Sequence, residues 1–502
     1  MTNYLMGVDI GTTNCKVSIF TEDGVQIGQI SQSFNLIKRE EKIEVNPLDW
    51  WEVLVVVIRQ CIEKAGIKGH QISSIGVSGT NALVVVDKNS VPLRNAIMQI
   101  DNRASLQANH LNGSIKDKVF NITGNRIASG MFLAPTILWI KKNENKIYNN
   151  TYKFLVPNGY INYKLTGEFS IDYSRASTSL LFDIKKKCWS QELCDLMDIR
   201  IDKLPCLYNS YEIIGKVTYE AAQQTTLRKD TPVIAGCMDT VAAGVGLGIV
   251  EDKEAFLILG TMGRVGICLS RPTFDNRFMN LSYVISDLWL SQAVTSGVGA
   301  SLTWFRDNFY TLEKYFMEQL LIDPNEIFIK EGQKLNAGVG GIIYIPNILG
   351  ERSPGWNSNK KGIFYGISYE NTKADFMKAI LEGIGYSFRR NIEALENTGL
   401  KILSLRVGGG GAGDKLWRQI IADITGKIIL LPSIIETETI GAAILAGKGI
   451  GIYKDIKPVI DNFNPIIGKI LPNKSNYINY SKQFELYKKL DELSDRRILV
   501  KE

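Results

Sequence analysis

The sequence predicts an α/β protein built from two similar domains. The chain has 502 residues, which is too long for one hydrophobic core. Short apolar runs typical of buried strands alternate with helical patterns in both halves of the chain. Each half also has a Gly-Thr turn between two strands, and each closes with an acidic residue, a threonine and a helix of alanine and glycine. These shared features indicate two like domains, each with one turn directed at a phosphate chain; a chance match of so few residues is the alternative.

The composition is that of a globular protein and disfavours several classes of function. Hydrophobic residues make up 45% and charged residues 22% of the chain, and the net charge of +6 is spread along its length, so no nucleic-acid partner is expected. No apolar run reaches the ~18–20 residues of a membrane span. The first residues lead directly into a strand without a basic segment, so no signal peptide is expected.

Cysteine and histidine usage narrows the chemistry. The seven cysteines form no CxxC pair, which predicts reduced thiols, a cytoplasmic protein and no zinc site. The two histidines, His70 and His110, stand outside any glycine-rich or acidic motif. A carboxylate is therefore the expected agent of any acid–base chemistry.

A phosphate-binding turn is predicted close to the N terminus. An apolar strand at residues 4–8 ends in Asp9, and a Gly-Thr-Thr turn separates it from the next strand. Backbone amides, the hydroxyls of Thr12 and Thr13, and the amine of Lys16 are groups that hold a phosphate. Asp9 offers a hard oxygen ligand for a metal ion beside it; the alternative is that Asp9 only caps the turn.

Polar residues follow two further predicted strands of the first half. Thr80 and Asn81 come just after a buried strand at residues 72–78, and Asp101 comes just after a strand at 96–100. Ligands of open α/β sheets bind at the carboxyl ends of the strands, so these side chains are candidates for binding the hydroxyls of a small molecule. For Asp101, an N-cap of the following helix is the alternative.

An aspartate marks another junction of strand and helix. A buried strand at residues 231–235 precedes Asp239 and Thr240, and a helix of small residues at 241–248 follows. The position suits an N-cap as well as a functional carboxylate. The small residues predict close packing, and the segment after them is the expected boundary between the domains.

The second half contains another Gly-Thr turn and a glycine-rich loop. Gly260 and Thr261 lie between predicted strands at residues 255–259 and 265–269, as in the opening hairpin. The loop at 407–413 lies between a strand and a helix, where glycine lets backbone amides approach a nucleotide. A nucleotide held at this loop is therefore expected.

The glycine-rich loop has two alternative interpretations. Gly408, Gly410 and Gly413 satisfy the GxGxxG spacing of dinucleotide-binding folds, and Glu436 lies roughly twenty residues further on. The motif occurs late in the chain and outside a repeated βαβ series, which weakens this interpretation. A plain tight turn is the other alternative.

Taken together, these motifs resemble those of the FGGY carbohydrate kinases, in the same order and from about Tyr4 to about Tyr453. The segments concerned are MGVDIGTTNCKVSIF, AGCMDTVAAGVGLG, LGTMG, GERSPGW, GGGGAGDKLWRQIIADITG and TETIGAAILA. The resemblance implies two ribonuclease-H-like domains of the actin-like ATPase type that face a central cleft. It places an N-terminal kinase domain at residues 1–248, a C-terminal kinase domain at 249–456 and a C-terminal helical extension at 457–502.

The resemblance also implies an ATP-dependent sugar kinase that uses Mg²⁺. Asp239 would be the general base, and Asp9 with Asp239 would hold the metal ion. The residues implied at ATP are Thr12, Thr13, Lys16, Gly260, Thr261, Gly409, Gly410, Gly411, Ala412 and Asp414. Those implied at the substrate are Thr80, Asn81, Gln99, Asp101, Asp239 and Thr240.

The chain departs from the family pattern where the substrate is chosen. Thr80-Asn81-Ala82 stands in place of the Gln-Met-His of xylulokinases or the Asn-Gln-Arg-Glu of glycerol kinases. Gln99 stands where many members have Trp, and Thr240 where many have Asn or Gln. Such exchanges of polar groups can switch specificity. A pentulose such as xylulose is the first expectation, as for a xylulokinase-like member, and a tetritol, another polyol or a sugar acid of the erythritol, gluconate or glycerol type is the alternative.

The remaining expectations concern partners and other classes of function. A small sugar or polyol is the expected partner, with no nucleic acid and no membrane, and a homodimer would follow the family. A nucleotide-dependent binding protein of the actin or heat-shock type is the competing class, although no peptide-binding appendage is visible. A catalytically silent sugar sensor is a third, against which the intact Asp239 argues.

Overall fold

The computed structural model describes residues 3–39, 42–272, 274–320, 338 and 341–495. They form two compact units, neither of which is continuous in sequence. The first comprises Met1–Asp252, Cys268–Ser291 and Thr437–Pro465, and the second comprises Lys253–Ile267, Gln292–Glu436 and Ile466–Glu502. The predicted domain boundaries at residues 248 and 456 stay predictions. The two units are defined by packing, and each combines segments from distant parts of the chain.

Strands and helices both occur throughout the described part of the chain. In chain order the strands are β1 Tyr4–Ile10, β2 Asn14–Thr21, β3 Gln26–Ser33, β4 Ile37–Arg39, β5 Lys42–Val45, β6 Ile72–Gly79, β7 Ala82–Val86, β8 Ala96–Met98, β9 Lys153–Leu155, β10 Ser170–Asp172, β11 Phe182–Asp183, β12 Cys188–Trp189, β13 Cys206–Tyr208, β14 Ile213–Lys216, β15 Pro232–Ile234, β16 Cys237–Met238, β17 Ala255–Leu259, β18 Gly263–Leu269, β19 Met279–Ser282, β20 Trp289–Thr295, β21 Ile343–Ile345, β22 Ile363–Tyr365, β23 Ser404–Gly408, β24 Ile428–Pro432 and β25 Ile466–Ile470.

The helices are of very different lengths. In chain order they are α1 Pro47–Lys64, α2 Ser105–Ser114, α3 Lys116–Thr123, α4 Leu133–Asn143, α5 Asn145–Asn150, α6 Pro157–Thr166, α7 Tyr173–Ala176, α8 Gln191–Leu196, α9 Tyr219–Thr225, α10 Asp239–Gly246, α11 Gly299–Phe309, α12 Thr311–Gln319, α13 Lys373–Glu396, α14 Lys415–Thr425, α15 Glu438–Gly449, α16 Lys457–Phe463 and α17 Lys474–Leu493. Short 3₁₀ turns occur at Gly69–Gln71, Ile201–Lys203 and Gly410–Gly413. Within the described ranges no helix is both long enough and apolar enough to cross a membrane.

The first unit is built on a seven-stranded sheet in the order β14-β15-β6-β1-β2-β3, with β16 also paired to β6. β1 and β2 form the predicted antiparallel hairpin, and β1 runs parallel to β6. Helix α1 contributes Trp50, Leu54 and Ile58 to a buried cluster that includes Val8 and Val77 of the sheet. Because β1 and β16 both run parallel to β6 and end beside it, their carboxyl ends lie at the same edge.

Two helices of small residues, α10 and α15, pack against each other and against the sheet of the first unit. A Cβ atom on Gly441 of α15 would lie 2.0 Å from the Ala242 carbonyl oxygen of α10. A Cβ atom on Gly7 of β1 would lie 1.9 Å from the Thr439 carbonyl oxygen of α15. Only glycine allows backbones to approach this closely, so the small-residue pattern that predicted close packing has its explanation here.

The second unit contains the second hairpin and the glycine-rich loop. Its strands follow the order β18-β17-β23-β24-β25, with β17 antiparallel to β18 and parallel to β23. β23 is parallel to β24, and β24 is antiparallel to β25. The glycine-rich loop therefore follows a strand that lies between two parallel neighbours.

The C-terminal segment is more than the helical extension expected at residues 457–502. It contains strand β25, which the prediction missed, between helices α16 and α17. Tyr480, Phe484, Tyr487 and Leu490 of α17 are buried. The charged residues between them obscured this stripe, although its spacing is that of one helix face.

Candidate active site

Asp9 lies near the carboxyl end of β1, beside the end of β6. The Ser78 hydroxyl of β6 donates to Asp9 Oδ1 at 2.7 Å. The pKa of Asp9 is raised to about 7, first by burial and then by the negative charges of Glu438 and Asp239. Lys16, its register partner on β2, acts in the opposite direction. Asp9 is therefore a partly buried carboxyl group in a negatively charged environment.

Asp239 is the first residue of α10 and directly follows β16. Met238 occupies the N-cap position, so the N-cap interpretation of Asp239 is wrong. The Asp239 Oδ1 atom accepts hydrogen bonds from the Thr240 N–H at 2.6 Å and from the Thr240 hydroxyl at 3.1 Å. The helix N terminus also favours a negative charge at this position.

The sheet brings Asp9 and Asp239 to the same edge, although they lie far apart in the sequence. Ser78 of β6 is the register partner of Asp9 on one side and of Cys237 on the other. After burial and the charge of Glu438, the charge of Asp239 also raises the pKa of Asp9, as expected for two carboxyl groups that share a site. The sequence alone predicted both residues at strand ends, but not that their strands flank the same neighbour.

The carboxylate oxygens of Asp9 and Asp239 fit a magnesium ion better than a metal that is held by protein ligands alone. Among the described residues, no group of three or more His, Cys, Asp and Glu side chains is placed to hold a metal ion. In nucleotide-dependent enzymes Mg²⁺ is bound by one or two carboxylates, with phosphate and water oxygens completing its shell. Asp9 and Asp239 provide two such oxygen donors. A cation would relieve the repulsion that, after burial, raises the pKa of Asp9.

Three of the predicted residues form one hydrogen-bonded row. The hydroxyls of Thr12 and Thr80 are 3.1 Å apart, and Gln99 Nε2 donates to the Thr80 hydroxyl at 3.0 Å. Thr80 and Gln99 are buried. The first Gly-Thr turn and two of the predicted substrate residues are therefore in direct contact.

Asn81 and Asp101 differ in what they still offer to a ligand. Asn81 Nδ2 donates to a backbone carbonyl oxygen at 2.7 Å, whereas its buried Oδ1 has no hydrogen-bond partner in the described part of the chain. Both oxygens of Asp101 are engaged, by the Ile43 N–H at 2.7 Å and by the Arg103 guanidinium at 2.9 and 2.7 Å. Asp101 is not the N-cap of α2, because Ala104 occupies that position.

The second Gly-Thr turn is held by the start of helix α11. The Gly299 N–H donates to the Gly260 carbonyl oxygen at 3.0 Å, and the Ala300 N–H donates to the Thr261 carbonyl oxygen at 3.3 Å. These bonds engage the carbonyl groups of the turn. Its conformation is therefore fixed by the second unit itself.

Three glycines that follow β23, Gly409, Gly410 and Gly411, differ in their surroundings. Gly409 has a φ of +83°, and a Cβ atom there would lie 2.8 Å from the Leu259 carbonyl oxygen. A Cβ atom on Gly411 would lie 2.6 Å from the Trp417 ring. No heavy atom of the described residues lies within 4 Å of the corresponding position on Gly410. Gly410 is thus the glycine of these three that has open space above its backbone.

Asp414 and Ala412 are tied into the second unit. Asp414 Oδ1 accepts a hydrogen bond from the Trp417 N–H at 2.6 Å and so caps helix α14. Ala412 is fully buried. Their predicted contacts with adenosine stay predictions.

Sequence reasoning missed three residues that lie close to the two carboxylates. Ser78 belonged to a predicted buried strand, Glu438 was one of several acidic residues before a helix, and Arg175 was assigned no role. Their importance depends on which strands and helices become neighbours, and spacing along the chain does not reveal this. One signal in the sequence could have pointed to Arg175. It is a charged residue among neighbours that are mostly small or apolar.

Known proteins match the chain over nearly its whole length. Residues 4–246 match the N-terminal domain, and residues 255–450 the C-terminal domain, of the FGGY family of carbohydrate kinases. A xylulose kinase from Staphylococcus epidermidis is 30% identical over 96% of this chain and 95% of its own. A gluconokinase from Bacillus subtilis is 28% identical over 93% of this chain and 90% of its own. The structure of a ligand-bound xylulose kinase from Lactobacillus acidophilus, 23% identical, has a TM-score of 0.89 and covers 98% of each chain.

The fold and these matches define a two-domain α/β kinase that transfers a phosphoryl group from ATP to a sugar. The chain belongs to the FGGY family of carbohydrate kinases. The predicted fold class and family are confirmed. Membership also replaces the dinucleotide-fold interpretation of the glycine-rich loop and the alternative of a heat-shock-type binding protein.

Proposed function

We propose that this kinase phosphorylates a pentulose such as xylulose, with Asp239 as the general base. The observation that carries the proposal is the pair of carboxylates, Asp9 and Asp239, at the ends of the two strands that flank β6 in the first unit. The same unit holds the hydrogen-bonded row of Thr12, Thr80 and Gln99. Similarity to a xylulose kinase along nearly the whole chain supports the choice of sugar.

Asp239 acts on the acceptor hydroxyl. Its carboxylate takes the hydroxyl proton while the hydroxyl oxygen forms a bond to the γ-phosphorus of ATP. The bond between that phosphorus and the bridging oxygen breaks, and its electron pair leaves on ADP. The two hydrogen bonds from Thr240 hold the carboxylate in one orientation for this step.

Asp9, together with Asp239, would hold Mg²⁺ directly or through water. When bound, the ion neutralises charge on the phosphoryl group during transfer. Orienting the acceptor and accepting its proton remain tasks of the side chains. The Ser78 hydroxyl keeps Asp9 in place for its part.

ATP binding is proposed for residues of both units. The residues proposed at the phosphates are Thr12, Thr13, Lys16, Gly260 and Thr261. Those proposed at the adenosine are Gly409, Gly410, Gly411, Ala412 and Asp414. The open space over Gly410 supports a close approach of the nucleotide to the backbone. The domain division at residues 248 and 456 and a cytoplasmic location belong to the same proposal.

Substrate binding is proposed for residues of the first unit. Thr80, Asn81, Gln99, Asp101 and Thr240 are the proposed contacts, in addition to Asp239. Asn81 is the strongest of them, because its buried, unpaired Oδ1 would accept a hydrogen bond from a sugar hydroxyl. Asp101 is the weakest, because the hydrogen bonds of both its oxygens serve the protein itself.

A kinase of a polyol or a sugar acid is the second candidate. It is favoured by the similarity to a gluconokinase and by Thr80-Asn81-Ala82 in place of the histidine-containing motif of xylulokinases. Polar exchanges of this kind change specificity by orders of magnitude when a buried group loses its partner. The two candidates differ in substrate and not in the chemistry of transfer.

A substrate panel tests the proposal. ATP consumption would be measured with ketopentoses, tetritols, other polyols and sugar acids, for the wild-type chain and for Asp239→Asn. We expect the highest kcat/KM with xylulose and loss of turnover in the variant. A higher kcat/KM with a polyol or sugar acid would select the second candidate, and full turnover by Asp239→Asn would refute the assigned base.

A further inference from the structure

Arg175 is an arginine on the short helix α7, next to the strand that leads to Asp239. Asp172 caps this helix, and its Oδ1 accepts hydrogen bonds from the Ser174 N–H at 2.9 Å and the Arg175 N–H at 3.2 Å. The Ser174 hydroxyl accepts a hydrogen bond from the Met238 N–H at 3.0 Å. Because Met238 directly precedes Asp239, these bonds fix the backbone of Arg175 relative to the proposed base.

The guanidinium group of Arg175 is buried without a hydrogen-bond partner. The residue is 0% exposed, and within the described ranges none of Nε, Nη1 and Nη2 has a partner. Burial of an unpaired charge is costly. Packing alone therefore does not account for an arginine at this position, and each such group in a native structure calls for an explanation.

Nearby carboxylates supply the compensating charge. Burial lowers the pKa of Arg175, and the charges of Asp239 and Asp172, in that order, oppose this effect. The charge of Asp9 also opposes the effect of burial on the pKa of Arg175, but more weakly. Asp239 is therefore the strongest electrostatic partner of the guanidinium group.

We propose that Arg175 is a positioning residue for Asp239 and acts through its positive charge. We assign Arg175 to Asp239 and not to the sugar, because the charge of Asp239 is the first of those that oppose the effect of burial on the guanidinium group. Its attraction for Asp239 opposes the repulsion from the Asp9 carboxylate and keeps the base oriented toward the acceptor hydroxyl. The inference rests on the proposed function in one respect, since it takes Asp239 as the base.

Removal of the charge at constant size tests this role. Arg175→Met should lower kcat for xylulose and ATP by about 10- to 100-fold, the size of effect seen when a residue that orients a reactive group is lost. The KM values for both substrates should stay close to those of the wild type, because Arg175 touches neither of them. Arg175→Lys, which keeps the charge, should recover part of the turnover.

Two controls separate this role from a purely structural one. The melting temperature of Arg175→Met should fall, because the variant leaves the buried Asp172 carboxylate without its compensating charge; kcat is therefore compared at a temperature at which circular dichroism shows the variant to be folded. Lys203→Met removes another buried cation of the first unit, one that donates to the Thr151 carbonyl oxygen, and should change the melting temperature without changing kcat. In an Asp239→Asn background, Arg175→Met should cause no additional loss of kcat.

The proposal is overturned if Arg175→Met keeps wild-type kcat, if it raises a KM at constant kcat, or if Lys203→Met lowers kcat to the same extent. A further loss in the Asp239→Asn background would also overturn it. Full turnover by Asp239→Asn alone would instead refute the base assignment in the proposed function. If xylulose is not phosphorylated, only the choice of sugar fails, and the same variants are measured with the acceptor that the substrate panel identifies.

Discussion

Two helices of the first unit begin with the same pattern and differ in what the pattern does. α10 begins with Asp239 and Thr240, and α15 begins with Glu438 and Thr439; both continue with alanine and glycine. The Thr240 hydroxyl donates to the acidic residue beside it, whereas the Thr439 hydroxyl shares a 2.9 Å hydrogen bond with the Ser18 hydroxyl of β2. The threonine of α10 therefore supports a carboxylate, and the threonine of α15 attaches a helix to the sheet.

The shared part of the pattern is explained by packing. Gly441 of α15 approaches the backbone of α10, and Gly7 of β1 approaches the backbone of α15. The acidic residues are not equivalent, since Asp239 follows a strand paired to β6, while Glu438 acts on the site through its charge on Asp9. A repeated motif thus shows where helices pack, and its neighbours decide whether the acidic residue takes part in chemistry.

Replacement of each acidic residue by its amide gives the largest expected difference between the two helices. Asp239→Asn should lower kcat by about 10²–10⁴-fold, the usual contribution of a general base, whereas Glu438→Gln should keep most of its turnover. Steady-state kinetics with the best acceptor of the substrate panel measure both variants. Circular dichroism and melting curves serve as the control for folding. Equal losses in the two variants would show that the helices have equivalent roles.

The next effect concerns the packing that both helices share. Gly441→Ala places a Cβ atom 2.0 Å from the Ala242 carbonyl oxygen, so the two helices must move apart. We expect a loss of about 1–3 kcal/mol in the free energy of unfolding, as for other overpacked sites, measured by urea denaturation. Gly113→Ala is the matched control, because Gly113 lies in α2 with no described atom within 4 Å of its Cβ position. The control should be neutral or gain up to ~1 kcal/mol, and a similar loss in both variants would contradict the close contact.

A smaller effect concerns pH and the charge of Glu438. The pKa of Asp9 is raised to about 7 by burial, Glu438 and Asp239, so the folded state binds its proton more tightly than the unfolded state does. The Asp9 contribution to the free energy of unfolding therefore falls as pH rises from about 4 to about 7, and it is constant above that range. Glu438→Gln removes one source of repulsion and should reduce this fall by roughly 1 kcal/mol.

Urea denaturation in magnesium-free buffer, at several pH values across this range, measures the effect. Asp9→Asn is the control, because it removes the titrating group and should flatten the dependence further than Glu438→Gln does. An unchanged slope in Glu438→Gln would mean that the charge of α15 does not reach Asp9. Comparison with the wild type at low pH, where Asp9 is protonated in both states, separates this effect from other contacts of Glu438.

The contrast between these helices also shows how far sequence reasoning reached. The turn at Thr12, the turn at Thr261 and the strand-to-helix junction at Asp239 were predictable, because each is encoded by a few consecutive residues. The contact of Gly7 with α15 and the orientation of Arg175 near Asp239 were not, because they depend on strands and helices from distant parts of the chain. Strand β25 was missed for a related reason, since its exposed alternate residues and neighbouring charges resemble a solvated tail.

The smallest expected difference is between the two threonines. Thr439→Val removes the hydrogen bond to the Ser18 hydroxyl and leaves a buried polar group unpaired, which should cost about 1–2 kcal/mol of the free energy of unfolding with kcat nearly unchanged. Thr240→Val keeps the backbone hydrogen bond to Asp239 and loses only the weaker one from the hydroxyl, so it should lower kcat severalfold with little change in stability. The two variants are measured by urea denaturation and steady-state kinetics, with the Ser18→Ala, Thr439→Val double variant as the control for the unpaired hydroxyl. If Thr439→Val lowers kcat more than Thr240→Val does, the division of tasks between the helices is wrong.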